Sequence, residues 1–203
     1  SIAGINITAS HNPKEYNGYK VYWDDGAQLS PALADRVSGF MSRVDVLDGV
    51  KRADPADAVS SGLLVYVGED VDRPYLEAVR SQLIDSESVA AASGLRVVYS
   101  PLNGAGYRMV PRILDSIGVK NVRVVPEQSE PDGDFPTTPF PNPEFIQVFE
   151  PGIRLANEIG SDLIIATDPD ADRMGAAVRK SDGEFTVLTG NQQGALLTEY
   201  VIS

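Results

Sequence analysis

The chain has 203 residues, is 42% hydrophobic and 23% charged, and carries a formal charge of −12 from 29 acidic and 17 basic residues. That length holds one α/β domain with a proper core, or one domain and part of another, and the composition excludes a disordered chain. A negative field of this size repels phosphate backbones and anionic lipid heads, which argues against nucleic acid and membrane surfaces as partners. No run of about 18 apolar residues is present, and no charged-then-apolar leader is visible. With no cysteine, a disulfide scaffold, a cysteine-ligated zinc and thiol catalysis are ruled out. The expectation is a cytoplasmic protein, and the sequon at Asn6 is discounted.

The chain opens at Ser1 without an initiator Met and runs into Gly4–Thr8, read as a strand with Ile5 and Ile7 on one face. A lone strand is not stable by itself. Its sheet neighbours are therefore expected upstream, and the chain is read as a piece of a larger protein. The orphan strand would also offer an edge on which a neighbouring molecule could pair. A polar turn, Ser10-His11-Asn12-Pro13, leads to a second strand-like run at 19–23 and a turn at Asp24-Asp25-Gly26. Ser30-Pro31 starts a helix with Leu33, Val37, Phe40, Met41, Val44 and Leu47 at helical spacing. Residues 48–61 lose periodicity and read as a linker.

Beyond it the pattern is regular. A helix is expected over 74–83 with Leu76, Val79 and Leu83 inward, a strand over 95–99, and a helix carrying Val110, Ile113, Leu114 and Ile117 up to Gly118. A strand at 122–125 follows, then a helical stretch over 142–160 that Pro151 should kink or split. Strands at 162–166, 174–178 and 184–188 precede a last helix at 191–203. Such alternation implies right-handed β-α-β units and a sheet covered on both faces.

Two loops carry chemistry. In Thr8-Ala9-Ser10-His11-Asn12-Pro13 a serine ends a strand in a polar bend that can present its hydroxyl to a cleft. In extended chain, adjacent side chains point to opposite sides, so His11 is expected to be badly placed as a base for Ser10. A nucleophile elbow needs Gly where Thr8 and Asn12 stand. Read alone, the loop is more simply a Ser/Asn-rich turn shaped by Pro13. The second loop, Asp168-Pro169-Asp170-Ala171-Asp172-Arg173, follows an apolar strand. Three carboxylates at every second position can converge on one hard cation such as Mg²⁺ while leaving places for phosphate oxygens. Arg173 has the fork to hold a phosphate. The calcium-loop pattern fails, because Arg173 and Arg179 stand where Gly and Glu belong. A solvated acidic turn is the plainer reading, but three like charges without a cation cost stability. A weaker signal, Leu102-Asn103-Gly104-Ala105-Gly106, lacks the third Gly of a dinucleotide fingerprint at Met109, so its glycines are assigned to a tight strand-to-helix turn.

Together and in this order, the two loops resemble the α-D-phosphohexomutase family, the phosphoglucomutases and phosphomannomutases. Asn17-Gly18-Tyr19-Lys20-Val21-Tyr22 continues the first motif, and Thr189-Gly190-Asn191-Gln192 resembles the opening of that family's third domain. Pro169 and Ala171 stand where many members carry Gly, and with the run from Tyr22 to Gln28 this resembles the phosphoglucomutase/phosphopentomutase branch. The resemblance implies an α/β fold: a Rossmann-like, three-layer mixed-sheet domain II and the C-terminal part of a similar domain I. Residues 1–47 would end domain I with the phosphoserine loop, 48–70 would be a linker, 71–188 domain II with the metal-binding loop, and 189–203 the start of domain III. Domains III and IV would be missing.

The resemblance further implies an isomerase of carbohydrate metabolism that moves a phosphoryl group between positions of a hexose phosphate, glucose 1-phosphate to glucose 6-phosphate, through a hexose bisphosphate. Ser10 would be the phosphoserine. Asp168, Asp170 and Asp172 would hold Mg²⁺ with an oxygen of the Ser10 phosphate. Lys20 would be the general base, and His11 and Arg173 would assist around the phosphate. Phosphoryl transfer needs in-line positioning and a cation on the developing charge, and Lys20 as a base needs a lowered pKa that a neighbouring cation would supply. The fragment is expected to be inactive alone. Phosphopentomutase and phosphomannomutase remain alternatives for the sugar. Other readings are a haloacid-dehalogenase-type phosphatase with Asp168 as nucleophile and Asp170 as acid/base, and a metal-dependent sugar-phosphate binding module without catalysis.

Overall fold

Short apolar runs separated by polar turns become the strands of two separate sheets in the computed structural model, which describes residues 2–202. Ser1 and Ser203, the end of the expected last helix, lie outside the described residues. The chain divides into two units, one of residues 1–7 and 19–73, the other of residues 8–18 and 74–203.

In the first unit, β1 (Gly4–Thr8) pairs with β2 (Gly18–Tyr22) in a two-stranded sheet. The expected orphan strand is thus corrected: β2 satisfies one edge of its backbone ladder. Ile5 and Ile7 nevertheless stay 60% and 67% exposed. Helix α1 (Pro31–Met41) starts as expected, with Ser30 at the cap and proline in the first turn. It stops before Val44 and Leu47. There the Asp45 carboxylate accepts from the backbone N–H groups of Leu47 (2.8 Å) and Asp48 (3.1 Å), a local turn that competes with helix. The expected linker contains a helix, α2 (Pro55–Ser60), begun by Asp54, whose side chain accepts from the N–H groups of Ala56 and Asp57. Helix α3 (Glu69–Arg80) begins five residues before Pro74, which sits inside it. Glu69, Asp70 and Asp72 favour that early start by lying at the positive end of the helix dipole.

The second unit adds a short helix that no periodicity signalled, α4 (Ser86–Ala91), capped by Asp85. Then come β3 (Arg96–Ser100), α5 (Gly106–Ser116), β4 (Asn121–Val124), α6 (Glu150–Ile159), β5 (Leu163–Thr167), β6 (Met174–Arg179), β7 (Phe185–Val187) and α7 (Gly190–Ile202). The sheet order is β4-β3-β5-β6-β7. β3 runs parallel to β4 and β5, whereas β5, β6 and β7 are antiparallel. It is a mixed sheet. Residues 142–160 are not one helix. The Asn142 side chain accepts from Glu144 N–H in a turn, a 3-10 turn covers Ile146–Phe149, and Pro151 then occupies the first turn of α6, where its missing N–H costs nothing. Gly160, at φ 66°, ends that helix.

The central strand β3 explains the layering. Val97, Val98 and Tyr99 are all essentially inaccessible, so both faces of the strand are covered. Side chains alternate across a sheet: Val98 and Ile164 meet Gly152 of α6, while Tyr99 meets Gly106 at the start of α5. The two helices therefore cover opposite faces. Phe149 and Val148 join Val98, Ile164 and Ala177 in the core on the α6 side. Among the described residues no helix is long and apolar enough to cross a membrane. Phe149→Ala should cost about 3–5 kcal/mol, read from the shift in urea midpoint at constant slope.

Candidate active site and metal loop

The chain leaves β3 toward β4 on one side and returns to β5 on the other. In such sheets the crevice lies outside the carboxyl ends of the strands where the direction reverses. Two loops meet there, residues 101–105 after β3 and 168–173 after β5. The second is closed by its own backbone. Asp168 N–H donates to Arg173 O at 3.3 Å, Arg173 N–H donates to Asp168 Oδ1 at 3.0 Å, and Ala171 N–H donates to Asp168 O at 2.9 Å. Ala171 takes φ 59°, a left-handed conformation that bends the loop back. As a result Asp168, Asp170 and Asp172 each bring one carboxylate oxygen within 4.8 Å of the others. Their exposure rises along the loop from buried to half-buried to exposed. Hard oxygen donors gathered on a rigid loop fit a divalent cation of the Mg²⁺ type.

Asp168 is the inner member, fully buried at the end of β5. Burial, first, and the charge of Asp170 raise its carboxyl from 3.8 to about 6, against the N–H of Arg173 and the hydroxyl of Ser10, which favour the ionised form. Ser10 reaches it across 158 positions of sequence: its Oγ donates to Asp168 Oδ2 at 3.1 Å. The serine is presented by a tight turn, with Ser10 at φ 53°, its N–H on Thr8 Oγ1 at 2.7 Å, and Asn12 N–H on Ala9 O at 3.0 Å. That turn corrects the expectation for His11. The chain is not extended at Ser10, so the two neighbouring side chains fall on the same side and His11 Nδ1 lies 3.1 Å from Ser10 Oγ. Past the turn, Lys14 Nζ pairs with Asp134 at 2.5 Å, an exposed contact of little energetic weight.

The structure thus brings together Ser10, His11, Asp168, Asp170 and Asp172, with Arg173 joined through its backbone and its side chain exposed. Lys20 is half-buried on β2, in the other unit. Sequence reasoning missed the packing beneath the metal loop. The left-handed residues of the 101–105 turn are Leu102 (φ 48°) and Asn103 (φ 57°), not its glycines. The glycines serve close approach. A Cβ on Gly104 would fall on Pro169 Cα and 2.6 Å from Pro169 O, and one on Gly106 would strike the Tyr99 hydroxyl and lie 2.7 Å from Thr167 Oγ1. Tyr99 and Thr167 share a buried hydrogen bond of 2.8 Å, and burial pushes the phenol up to about 12.

Comparison with known proteins identifies the family and the fold. Residues 73–183 match the family model described as phosphoglucomutase/phosphomannomutase, alpha/beta/alpha domain II, and residues 1–46 match that of domain I. A phosphoglucomutase of Staphylococcus epidermidis is 40% identical over 201 residues, which is 98% of this chain and 36% of the relative. One from Staphylococcus saprophyticus is 38% identical over 195 residues, 96% of this chain and 35% of the relative. The chain spans about a third of the length of these curated relatives. A crystal structure of a phosphoglucomutase/phosphomannomutase family protein from Burkholderia thailandensis superposes with a TM-score of 0.62 at 22% identity, over 98% of this chain and 38% of that one, and so shares its fold.

The raised pKa of Asp168 has a sign that can be checked. The folded state holds this proton more tightly than the unfolded chain, so without divalent cation stability falls as pH rises from 3.8 through about 6. Urea midpoints in EDTA should decline across that window, and Asp168→Asn should flatten the decline.

Proposed function

The chain belongs to the phosphoglucomutase/phosphomannomutase family, and on that premise we propose that the complete protein interconverts glucose 1-phosphate and glucose 6-phosphate through phospho-Ser10. The observation that carries the reading is the hydrogen bond from Ser10 Oγ to Asp168 Oδ2. It sets the only serine of the first motif against the innermost of three converging carboxylates. A serine that only shaped a turn would need one acceptor, whereas here three carboxylates converge beside it. A phosphoserine there would be repelled by the bare carboxylates, and a cation held by them would supply the positive charge that a dianion in a chain of charge −12 needs.

Asp168, Asp170 and Asp172 are the residues that would hold Mg²⁺, and the bound cation would neutralise charge on the transferring phosphoryl oxygens. The protein's own groups do the rest. Ser10 Oγ gives its phosphoryl group to the 6-hydroxyl of the hexose 1-phosphate, and the O–P bond to serine breaks as the bond to the sugar oxygen forms. Lys20, assigned by its position in the first motif, takes the hydroxyl proton. In the second transfer the bond between the C1 oxygen and phosphorus breaks as the Ser10 Oγ–phosphorus bond forms, the proton lost by the Ser10 hydroxyl ends on the C1 oxygen, and the phosphoserine is regenerated with release of hexose 6-phosphate. His11, at 3.1 Å from Ser10 Oγ, is placed to hydrogen-bond the serine oxygen as it departs, and the exposed Arg173 to hold phosphate. A cytoplasmic location accords with a substrate of central sugar metabolism.

In the complete enzyme, Ser10→Ala should lower turnover of glucose 1-phosphate by at least about a thousandfold with the fold intact, and Asp168→Asn should do the same at ordinary Mg²⁺. The 203-residue chain alone should show no multiple turnover. Near-normal turnover by Ser10→Ala would sink the assignment of the phosphoserine.

A further inference from the structure

The acidic loop is held from below by a second loop that carries no charged group. The turn after β3 is fixed to the segment following β4. Asn103 N–H donates to Gln128 O at 3.0 Å, Asn103 O accepts from Asp132 N–H at 3.1 Å, and the Asn103 amide donates to Glu130 O at 2.8 Å. Gln128, fully buried, accepts from Ser100 Oγ at 2.7 Å, and that same Oγ accepts from Leu102 N–H at 3.0 Å. From this fixed base the turn meets the acidic loop through its backbone. Ala105 N–H donates to Pro169 O at 2.7 Å, and Gly104 offers a bare Cα where any side chain would collide with Pro169. Gly106 leaves room for the Tyr99–Thr167 pair directly before Asp168.

Pro169 stands between the first two carboxylates, so its position sets their separation. A cation of the Mg²⁺ type accepts little deviation from octahedral geometry. Groups that orient metal ligands without touching the metal typically change affinity by about 10–100-fold when altered. We propose that Gly104 and the Ala105 N–H are positioning groups for the metal loop, setting the spacing of Asp168 and Asp170 and with it the divalent-cation affinity. This rests on the reading of the three aspartates as the cation site.

The test is calorimetric titration of Mg²⁺ into the full chain and its variants, with urea unfolding in EDTA beside it. Gly104→Ala should bind Mg²⁺ at least tenfold more weakly. Ala105→Pro removes one N–H at a residue whose φ of −68° already suits proline, and should weaken binding similarly. Gly133→Ala, with open space around it, should leave affinity unchanged. The expected signature is a loss of affinity out of proportion to any change in the metal-free urea midpoint. Affinity within twofold of the parent in Ala105→Pro, and in Gly104→Ala where it folds, would overturn the proposal and leave the turn a support of the fold only. A parent chain that takes up no Mg²⁺ would instead defeat the cation site itself, a separate failure visible before any variant is made.

Discussion

A carboxylate buried at the end of a strand is costly unless something is built around it, and Asp168 is such a group. Its surroundings supply an N–H from Arg173 and a hydroxyl from Ser10, yet the carboxyl still sits near 6. The balance lies between burial with a neighbouring like charge and two hydrogen bonds that do not fully offset them. Positive charge from a bound cation would resolve it. Much of the unit's architecture serves to place this one residue. The parallel pair β3 and β5 delivers two loops to the same end of the sheet, the reversal of strand order opens the crevice there, and helices on both faces keep the strands dry.

That arrangement also explains why a local serine turn matters. Residues 8–18 cluster with the second unit although the strands on either side belong largely to the first. The hydroxyl of Ser10 is set by a left-handed backbone and a Thr8 side chain, a geometry that leaves few alternative positions for Oγ. Its partner, 158 residues away, is fixed by a closed loop. Both sides of the contact are pre-shaped, as the proposed phosphoryl transfer would demand of a site that works mostly by positioning.

Most of the framework could be read from the letters. The strands, the helix over 106–116 and the acidic loop at the end of an apolar strand all follow from periodicity and turn chemistry, and the resemblance to a family rests chiefly on two loops that lie inside the matched segments 1–46 and 73–183. What escaped reading has particular causes. Extended geometry at Ser10 would turn His11 away from the serine hydroxyl, and one positive φ brings the two together. Helices α2 and α4 are six residues each and owe their existence to capping by Asp54 and Asp85 rather than to an apolar stripe. The early start of α3 depends on acidic residues at its first turn, which compete with the signal of Pro74. The letters point Gly104 and Gly106 to turn geometry, whereas their requirement comes from Pro169, Tyr99 and Thr167, residues that only the folded chain brings near.

The central claim is that Ser10 carries a phosphoryl group that moves. Mass spectrometry on the complete protein, locating the phosphate before and after a chase with hexose 1-phosphate and Mg²⁺, tests it most directly. The account predicts phosphate on Ser10 that passes to the sugar during the chase. A Ser10 phosphate that never leaves, or a label found on Asp168 instead, would contradict it.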